Sequence, residues 1–525
     1  MAERHTPVLV VGGSLVGLST SVLLADQGVP HLLVESHPGT AIHPRAASFH
    51  QRTMEIFRSV GMQEVVDEAA AREFKQNGAI VAVESLGGKE LQYFFRSFND
   101  GVEDLSPTAR LFITQVGLEP VLRRHATELG AEHMFGTELV SFEQHKDHVS
   151  SVIRPRGGGP EQRVTSDYLI AADGAHSSVR ERLGVPMAGR GSFADCITIY
   201  FKADVNELIG DRNLSVVYVN NPELLGFFRF SITGESGFLA VFATIGPDGS
   251  RNTKVGEDIS AERCIELVRT ALGGAPDLPV DVENVQRWSA SAATAESFGS
   301  RRVFLVGDAA HVMPPTGGFG GNTGVADADN LAWKLALVTR GVAGPALLES
   351  YDAERRPISE LTVEQAYTRY VLRVDPSLPQ DDLRPPLDDP SIELGAIYRS
   401  AAVEGHGPSG QQLDDPRAQS WTVGARAPHL VLSQGAPAST VDLAHSGFAL
   451  LVADDDDAWS RAAADAERSL RVPIAVQPID PGAVGWRGAA LIRPDGVLAW
   501  KAGPGSSGEL DGVLRRVLAL DVGSA

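Results

Sequence analysis

A chain of 525 residues with 43% hydrophobic side chains is too long for one ordinary domain, so two or three are expected. Its formal charge of −21 excludes a nucleic-acid surface of the usual kind, because phosphate contacts need a concentrated basic face. No run of roughly 18 apolar residues occurs to span a membrane, Met1 to His5 lead into a strand without the apolar stretch of an export signal, and two cysteines, Cys196 and Cys264, exclude a disulfide framework. A cytoplasmic protein is therefore expected.

In chain order, Val8–Val11 is an apolar run that stops at Gly12, as a buried parallel strand does. Leu15, Leu18, Val22 and Ala25 then recur at helical spacing, Gly28 stands where a helix ends, and Leu32-Leu33-Val34 forms a second strand ending in Glu35. This βαβ opening is the context that a dinucleotide-binding turn requires. Gly12 and Gly13 turn the chain out of the strand, and Gly17 lets the helix pack closely on the sheet. The helix N-terminus aims N–H groups at a pyrophosphate, and Glu35 is placed to accept hydrogen bonds from a ribose. Ser14 occupies the middle glycine of G-x-G-x-x-G, and its Cβ is expected to crowd the phosphate. Alone, the motif fits an NAD-dependent dehydrogenase, or a glycine turn in an unrelated α/β protein, equally well.

Arg45, in His43-Pro44-Arg45, either reaches a cofactor or is a surface charge. Gln115, ahead of a helix predicted from Leu118 to Leu129, is equally open. Tyr168–Ala172 reads as a buried strand ending in Ala172-Asp173-Gly174. Residues 197–245 look like antiparallel sheet, with Phe238, Ala240 and Phe242 alternating with Leu239, Val241 and Ala243. Phe227, Phe228, Phe230 and Phe242 line an apolar pocket or belong to sheet core.

Val303–Val306 is another buried strand, and it delivers Gly307-Asp308 to its C-terminal edge, where Asp308 meets ribityl hydroxyls. Pro315, Gly318, Gly320, Gly321 and Asn322 belong to a glycine-rich loop opening a helix predicted over 322–340, whose free N–H groups suit the N1–C2 edge of a reduced isoalloxazine. Three turn segments suited to parts of one molecule point to FAD. No second G-x-G-x-x-G and no C-x-x-C pair follows, which argues against a dedicated NAD(P) domain and against disulfide-reductase chemistry; no metal site is expected. Around 375–392 the composition shifts to Asp and Pro, an excursion or linker. Beyond it, strands near 447–452 and 489–493 bracket a helix at 459–470 in a separate unit.

Several segments together resemble the group A FAD-dependent aromatic hydroxylases, of which p-hydroxybenzoate hydroxylase is the best-known type. They are Asp173-Gly174-Ala175-His176-Ser177-Ser178-Val179-Arg180, Gly307-Asp308-Ala309-Ala310-His311, Asp329-Asn330-Leu331-Ala332-Trp333-Lys334-Leu335 and Tyr351-Asp352-Ala353-Glu354-Arg355-Arg356-Pro357. Pro44-Arg45-Ala46-Ala47, Thr316-Gly317-Gly318, Ser439–Leu443 and Leu491–Trp500 narrow the likeness to the aromatic polyketide hydroxylases, the group of aklavinone 11-hydroxylase.

The resemblance implies an α/β fold: a Rossmann-like FAD domain (1–185 and 291–400, with an excursion near 72–105), an inserted antiparallel substrate sheet (186–290), and a thioredoxin-like unit without redox cysteines (410–525). It implies a monooxygenase in which NADPH or NADH reduces non-covalent FAD and a flavin C4a-hydroperoxide hydroxylates a polycyclic aromatic polyketide, in antibiotic biosynthesis. Arg373 and Tyr218 fall where relatives have active-site residues, or are a surface arginine and a sheet-face tyrosine; Arg45 lies in a shared segment and is placed to reach the cofactor or gate its movement. Baeyer–Villiger insertion, epoxidation, oxidative decarboxylation and a flavin-binding partner without turnover remain alternatives. A monomer or homodimer is expected.

Overall fold

The computed structural model describes residues 3–43, 47–246, 248–257, 259–274, 277–405, 410–432, 438–454 and 457–520. Arg45 lies outside them. The first sheet has a parallel centre in the order Val303–Leu305, Gln162–Ala171, Glu3–Val11, His31–Glu35, Glu132–Phe135. Its middle strands are continuous runs of Val, Leu, Ile and Ala because both faces are covered: Val8, Leu9, Val10, Leu32, Leu33, Leu169 and Ile170 are all fully buried. The helix Leu15–Asp26 follows the first strand and packs in the same core as Val325, Ala328, Leu331 and Leu335 of a long helix, Phe319–Thr339.

The second sheet is antiparallel for most of its width. Its order is His311–Val312, Asp281–Ala295, Met187–Lys202, Ser236–Ile245, Leu224–Phe230, Leu214–Asn220, Ala79–Val83, Glu90–Phe95. The last two strands come from early in the chain, and Ala79–Val83 joins parallel to Leu214–Asn220. Ile199, Phe201, Phe228, Phe230, Leu239 and Val241 form one core with Leu267, Val268 and Ala271 of the helix Ala261–Leu272, which covers that face.

A third sheet, ordered Ile474–Pro478, Phe448–Ala453, Gly488–Ile492, Leu498–Ala502, mixes parallel and antiparallel pairs and carries helices Ala458–Leu470 and Leu510–Val517, a thioredoxin-like arrangement. Its core continues into Trp333 and Leu337 of the long helix. That helix is therefore buried on both sides, against the first sheet and against the terminal unit. Among the described residues, no helix is long and apolar enough to cross a membrane.

Candidate active site

Four neighbouring parallel strands deliver their motif residues to one edge. Glu35 ends one strand, Gly12 follows the next, Asp173 the third and Gly307-Asp308 the fourth; Val11 is in register with both Val34 and Ala171, and Ala171 with Leu305. In open α/β sheets this carboxyl edge, where connections diverge, is where ligands bind. Backbones approach very closely behind it. A Cβ on Gly17 would stand 1.9 Å from the Gly12 carbonyl oxygen, and one on Gly324 would stand 2.5 Å from Val16 Cγ2 and 3.0 Å from Gly307 Cα.

Glu35 accepts the Gly13 N–H at 2.6 Å and the His37 N–H at 2.7 Å. Burial pushes its pKa up, but these N–H groups outweigh burial and hold it below the usual carboxylate range. Ser14 solves its own crowding problem: its Oγ donates to buried Glu119 at 2.6 Å, while Gln115, the first residue of helix Gln115–Glu128, donates to Ser14 and Glu119. Burial pushes the Glu119 carboxyl up.

Asp173 accepts the Val179 N–H through Oδ2, whereas its Oδ1 is buried without a hydrogen-bond partner among the described residues. The rest of that motif is a brace. Ser177 caps helix Ser178–Leu183, and Arg180 donates to the carbonyls of Ala175 and Ala309, tying the Asp173 turn to the Gly307-Asp308 turn. Asp327 of the long helix accepts the Gly307 N–H at 3.0 Å and is clasped by His311 at 2.7 Å and Arg355 at 2.8 Å. Despite burial, the contacts with His311 and Arg355 hold the Asp327 carboxyl below its ordinary range. Asp308 stands exposed on the short turn Gly307–Ala309.

The long helix starts earlier than its apolar stripe predicts, at Phe319, because Gly318 takes a left-handed φ of 69° and reverses the loop from Pro315, whose carbonyl accepts the Gly318 N–H. Gly320 and Gly321 fall in the first helical turn, which leaves N–H groups without intrahelical partners. The Asn322 side chain is fully used by protein: it donates to Ser48 and Gly318 carbonyls and accepts from the His50 N–H and Thr53 Oγ1. It locks the loop, so any contact it makes with a cofactor runs through its backbone.

The candidate substrate side is the face of the antiparallel sheet turned away from helix Ala261–Leu272. Alternation and register place Tyr200, Tyr218, Phe227, Phe238 and Phe242 there, with Phe228 and Phe230 on the opposite, helix-covered face. Their rings form one continuous wall: Tyr200–Phe238 at 6.0 Å, Phe238–Phe227 at 5.6 Å, Phe227–Tyr218 at 5.9 Å, Tyr218–Phe94 at 5.6 Å. Arg373, the last residue of helix Glu349–Arg373, lies with its guanidinium carbon 5.0 Å from the centre of the Phe94 ring, which packs edge-on against Tyr218. Burial pushes the Tyr218 phenol up, partly offset by Arg373 and Arg229, so it stays a hydrogen-bond donor at neutral pH.

A family model described as "FAD binding domain" matches residues 5–366, and one described as "Aromatic-ring hydroxylase, C-terminal" matches residues 420–520. The chain belongs to the FAD-dependent aromatic-ring hydroxylases. This hydroxylase is 44% identical to a 4-methyl-5-nitrocatechol 5-monooxygenase of Burkholderia sp, over 95% of this chain and 94% of that one. It is 38% identical to a tetracenomycin B2 monooxygenase-dioxygenase of Streptomyces olivaceus, over 99% of this chain and 100% of that one. The solved structure of aklavinone-11 hydroxylase with FAD and aklavinone superposes with a TM-score of 0.91 at 36% identity, covering 99% of this chain and 100% of that chain.

The hydroxylase's own residues fit FAD: a carboxylate at the ribose end, the orphaned Asp173 oxygen, and a helix N-terminus at the far end. When bound, FAD takes electrons from NAD(P)H and activates dioxygen. Sequence reasoning missed Glu119, Phe94, Tyr200 and Arg229 as candidate site residues. Only Arg229 carried a local signal, as a lone charge inside the apolar strand Leu224–Phe230.

Proposed function

We propose that this hydroxylase oxygenates a polycyclic aromatic polyketide on a phenolic ring, gripped between the aromatic wall and the flavin loop around Pro315–Gly321. The observation that carries this reading is a row of rings long enough for fused rings, ending in Tyr218 and Phe94, with the Arg373 guanidinium over Phe94. Tyr218 Oη donates to the substrate's phenolic oxygen, and the Arg373 guanidinium favours its ionised form, raising electron density on the ring. An arginine does not take the proton itself. The wall excludes water from the reacting face. Gly12, Gly13, Ser14, Gly17 and Glu35 hold the adenosine and pyrophosphate, Asp173 and Asp308 the ribityl region, and Gln115 acts through Ser14.

The Asp/Pro-rich segment closes one side of the cleft. Leu378 and Leu383 pack near Phe193, Tyr367 and Val371, Arg190 pairs with Asp382 at 2.8 Å, and Arg251 with Asp375 at 2.8 Å. The domain division given above, a cytoplasmic site where NAD(P)H is supplied, and a monomer or homodimer belong to this reading.

A second reading, a monocyclic catechol substrate, is favoured by the 44% identity to the nitrocatechol monooxygenase. Purified holoenzyme given NADPH, isotope-labelled dioxygen and either an anthracycline aglycone such as aklavinone or 4-methyl-5-nitrocatechol decides between them. One labelled oxygen atom in the aglycone with tightly coupled NADPH use is expected. Coupled turnover of the catechol alone would replace the first reading with the second, and no product from either would overturn both.

A further inference from the structure

His50 is buried beside the loop that opens helix Phe319–Thr339, and it meets that loop at three points. Its backbone N–H goes to the Asn322 side chain at 2.9 Å, its ring lies edge-on to Phe319 at 5.5 Å, and its Nε2 is 3.2 Å from the Gly317 carbonyl oxygen. A second group faces Nε2, the Glu393 carboxylate, with Oε1 at 4.0 Å. Both neighbours are acceptors with no hydrogen of their own, so the proton of the neutral ring stands on Nε2 and is donated to Gly317. Burial pulls the imidazole below its ordinary pKa, which keeps the ring neutral at neutral pH.

Glu393 is itself held in place. Arg110 donates to its Oε2 at 2.9 Å, both side chains being buried, and Arg110 is anchored in turn on the Phe98 carbonyl at 3.0 Å. The 4.0 Å between Glu393 and His50 is too long for a hydrogen bond. Its effect is electrostatic, favouring the ring proton on the nitrogen that faces Gly317. Apolar side chains fill such a space at lower cost than a buried ion pair. What the pair adds is a fixed negative charge behind the donor. The loop has a use for that donor. Gly317 and Gly318 have φ of 98° and 69°, and among the described residues no backbone N–H donates to the Gly317 carbonyl. Two successive glycines allow the peptide between them to turn either way, and one of the two orientations sends its oxygen to His50.

We propose that His50 is a positioning residue for the flavin loop: its Nε2–H holds the Gly317 oxygen in the buried Glu393–Arg110 cluster and so keeps that oxygen from the N1–C2 edge of the flavin. That edge gains negative charge on reduction, and a carbonyl oxygen beside it would repel the charge. The reduced cofactor is therefore held more tightly than with the peptide free to turn. This rests on the placing of the flavin at the Pro315–Gly321 loop made under the proposed function.

The test reads the two-electron midpoint potential of the flavin on purified holoenzyme, with Tm recorded beside it. His50→Gln puts an amide N–H near the place of Nε2, whereas the shorter side chain of His50→Asn does not reach it. In the Asn variant the reduced flavin is expected to lose about tenfold more affinity than the oxidised flavin, the scale of one hydrogen bond. For this couple that is a shift of about 30 mV to more negative potential. The Gln variant is expected to keep the wild-type potential. Loss of flavin from the Asn variant alone would also support the proposal. Gln and Asn variants alike in potential and in flavin retention would overturn it, as would a fall in Tm with no shift in potential. Gly318→Ala, strained at its φ of 69°, disturbs the loop directly and separates the two claims. If it leaves the potential unchanged, the placing of the flavin at this loop fails and the proposal with it. If it shifts the potential while both His50 variants match wild type, the proposal alone fails.

Discussion

At Gly17 a hydrogen atom does work that no side chain can do, because the first turn of its helix sits on the carbonyl of Gly12. Gly17→Ala forces helix and strand apart, and the cofactor edge with them. Overpacking of this kind costs about 1–3 kcal/mol or more. The expected result is protein purified largely without flavin, with a lowered Tm, checked by visible absorbance and differential scanning fluorimetry. In the proposed substrate cleft, Tyr218→Phe removes the phenolic donor and leaves the ring wall intact. Turnover is expected to fall about 10- to 100-fold, as for a lost general acid–base or orienting contact, while NADPH oxidation persists and its electrons appear as hydrogen peroxide. Unchanged coupling would remove Tyr218 from the mechanism.

The glycines and acidic turns of the cofactor edge were legible in the sequence because each follows a strand buried on both faces, and such a strand reads as an unbroken apolar run. Phe94 and Arg229 were not. They reach Tyr218 only through the register of strands from separate parts of the chain, Leu214–Asn220 beside Leu224–Phe230 and Ala79–Val83. Glu119 was hidden for a similar reason, since its partner Ser14 lies 105 residues away.

Between elements, one fully buried tie is ionic. Glu354 accepts from Arg493 at 2.6 Å and from Lys334 at 2.8 Å, with Asn330 and Ser400 completing its shell, and Arg493 also pairs with Asp495. Lys334, Glu354 and Arg493 are fully buried and belong to helix Phe319–Thr339, helix Glu349–Arg373 and the terminal unit in turn. Burial alone would raise the Glu354 pKa, but Arg493 and Lys334 hold it far below its ordinary 4.5. A carboxylate lowered in the folded state contributes stability above its unfolded pKa and loses that contribution as pH falls through the folded one. Tm is therefore expected to be level above about pH 5 and to fall as pH drops below about 4.5. Glu354→Gln lowers the plateau and flattens the acid limb. Arg493→Met leaves part of a buried charge unmatched and is expected to cost about 3–5 kcal/mol, seen as a Tm loss larger than that of any exposed pair such as Arg72 with Glu68.

Over the whole molecule, this tie makes the thioredoxin-like unit inseparable from the flavin fold. Trp333 and Leu337 of the long helix share a core with Phe448, Leu450 and Trp500, and Arg52 reaches from helix Gln51–Ser59 to Asp329 and the Asp495 carbonyl. A chain ending after residue 405 would expose that apolar face together with Lys334 and Glu354. It is expected to aggregate without bound flavin, as judged by size-exclusion chromatography and flavin content. A monodisperse yellow fragment would show instead that the terminal unit is dispensable.

The order of the first sheet also sets a schedule for synthesis. Its central neighbours are drawn from residues 3–11, 162–171 and 303–305, and the glycine loop comes later still. A nascent chain leaving the ribosome exposes the first strand and its turn long before the fourth strand exists to complete the edge. Pairings this distant are slow and aggregation-prone until closed. The nucleotide end of the cleft thus emerges first, and the carboxyl edge becomes complete only when residues 303–305 have joined the sheet.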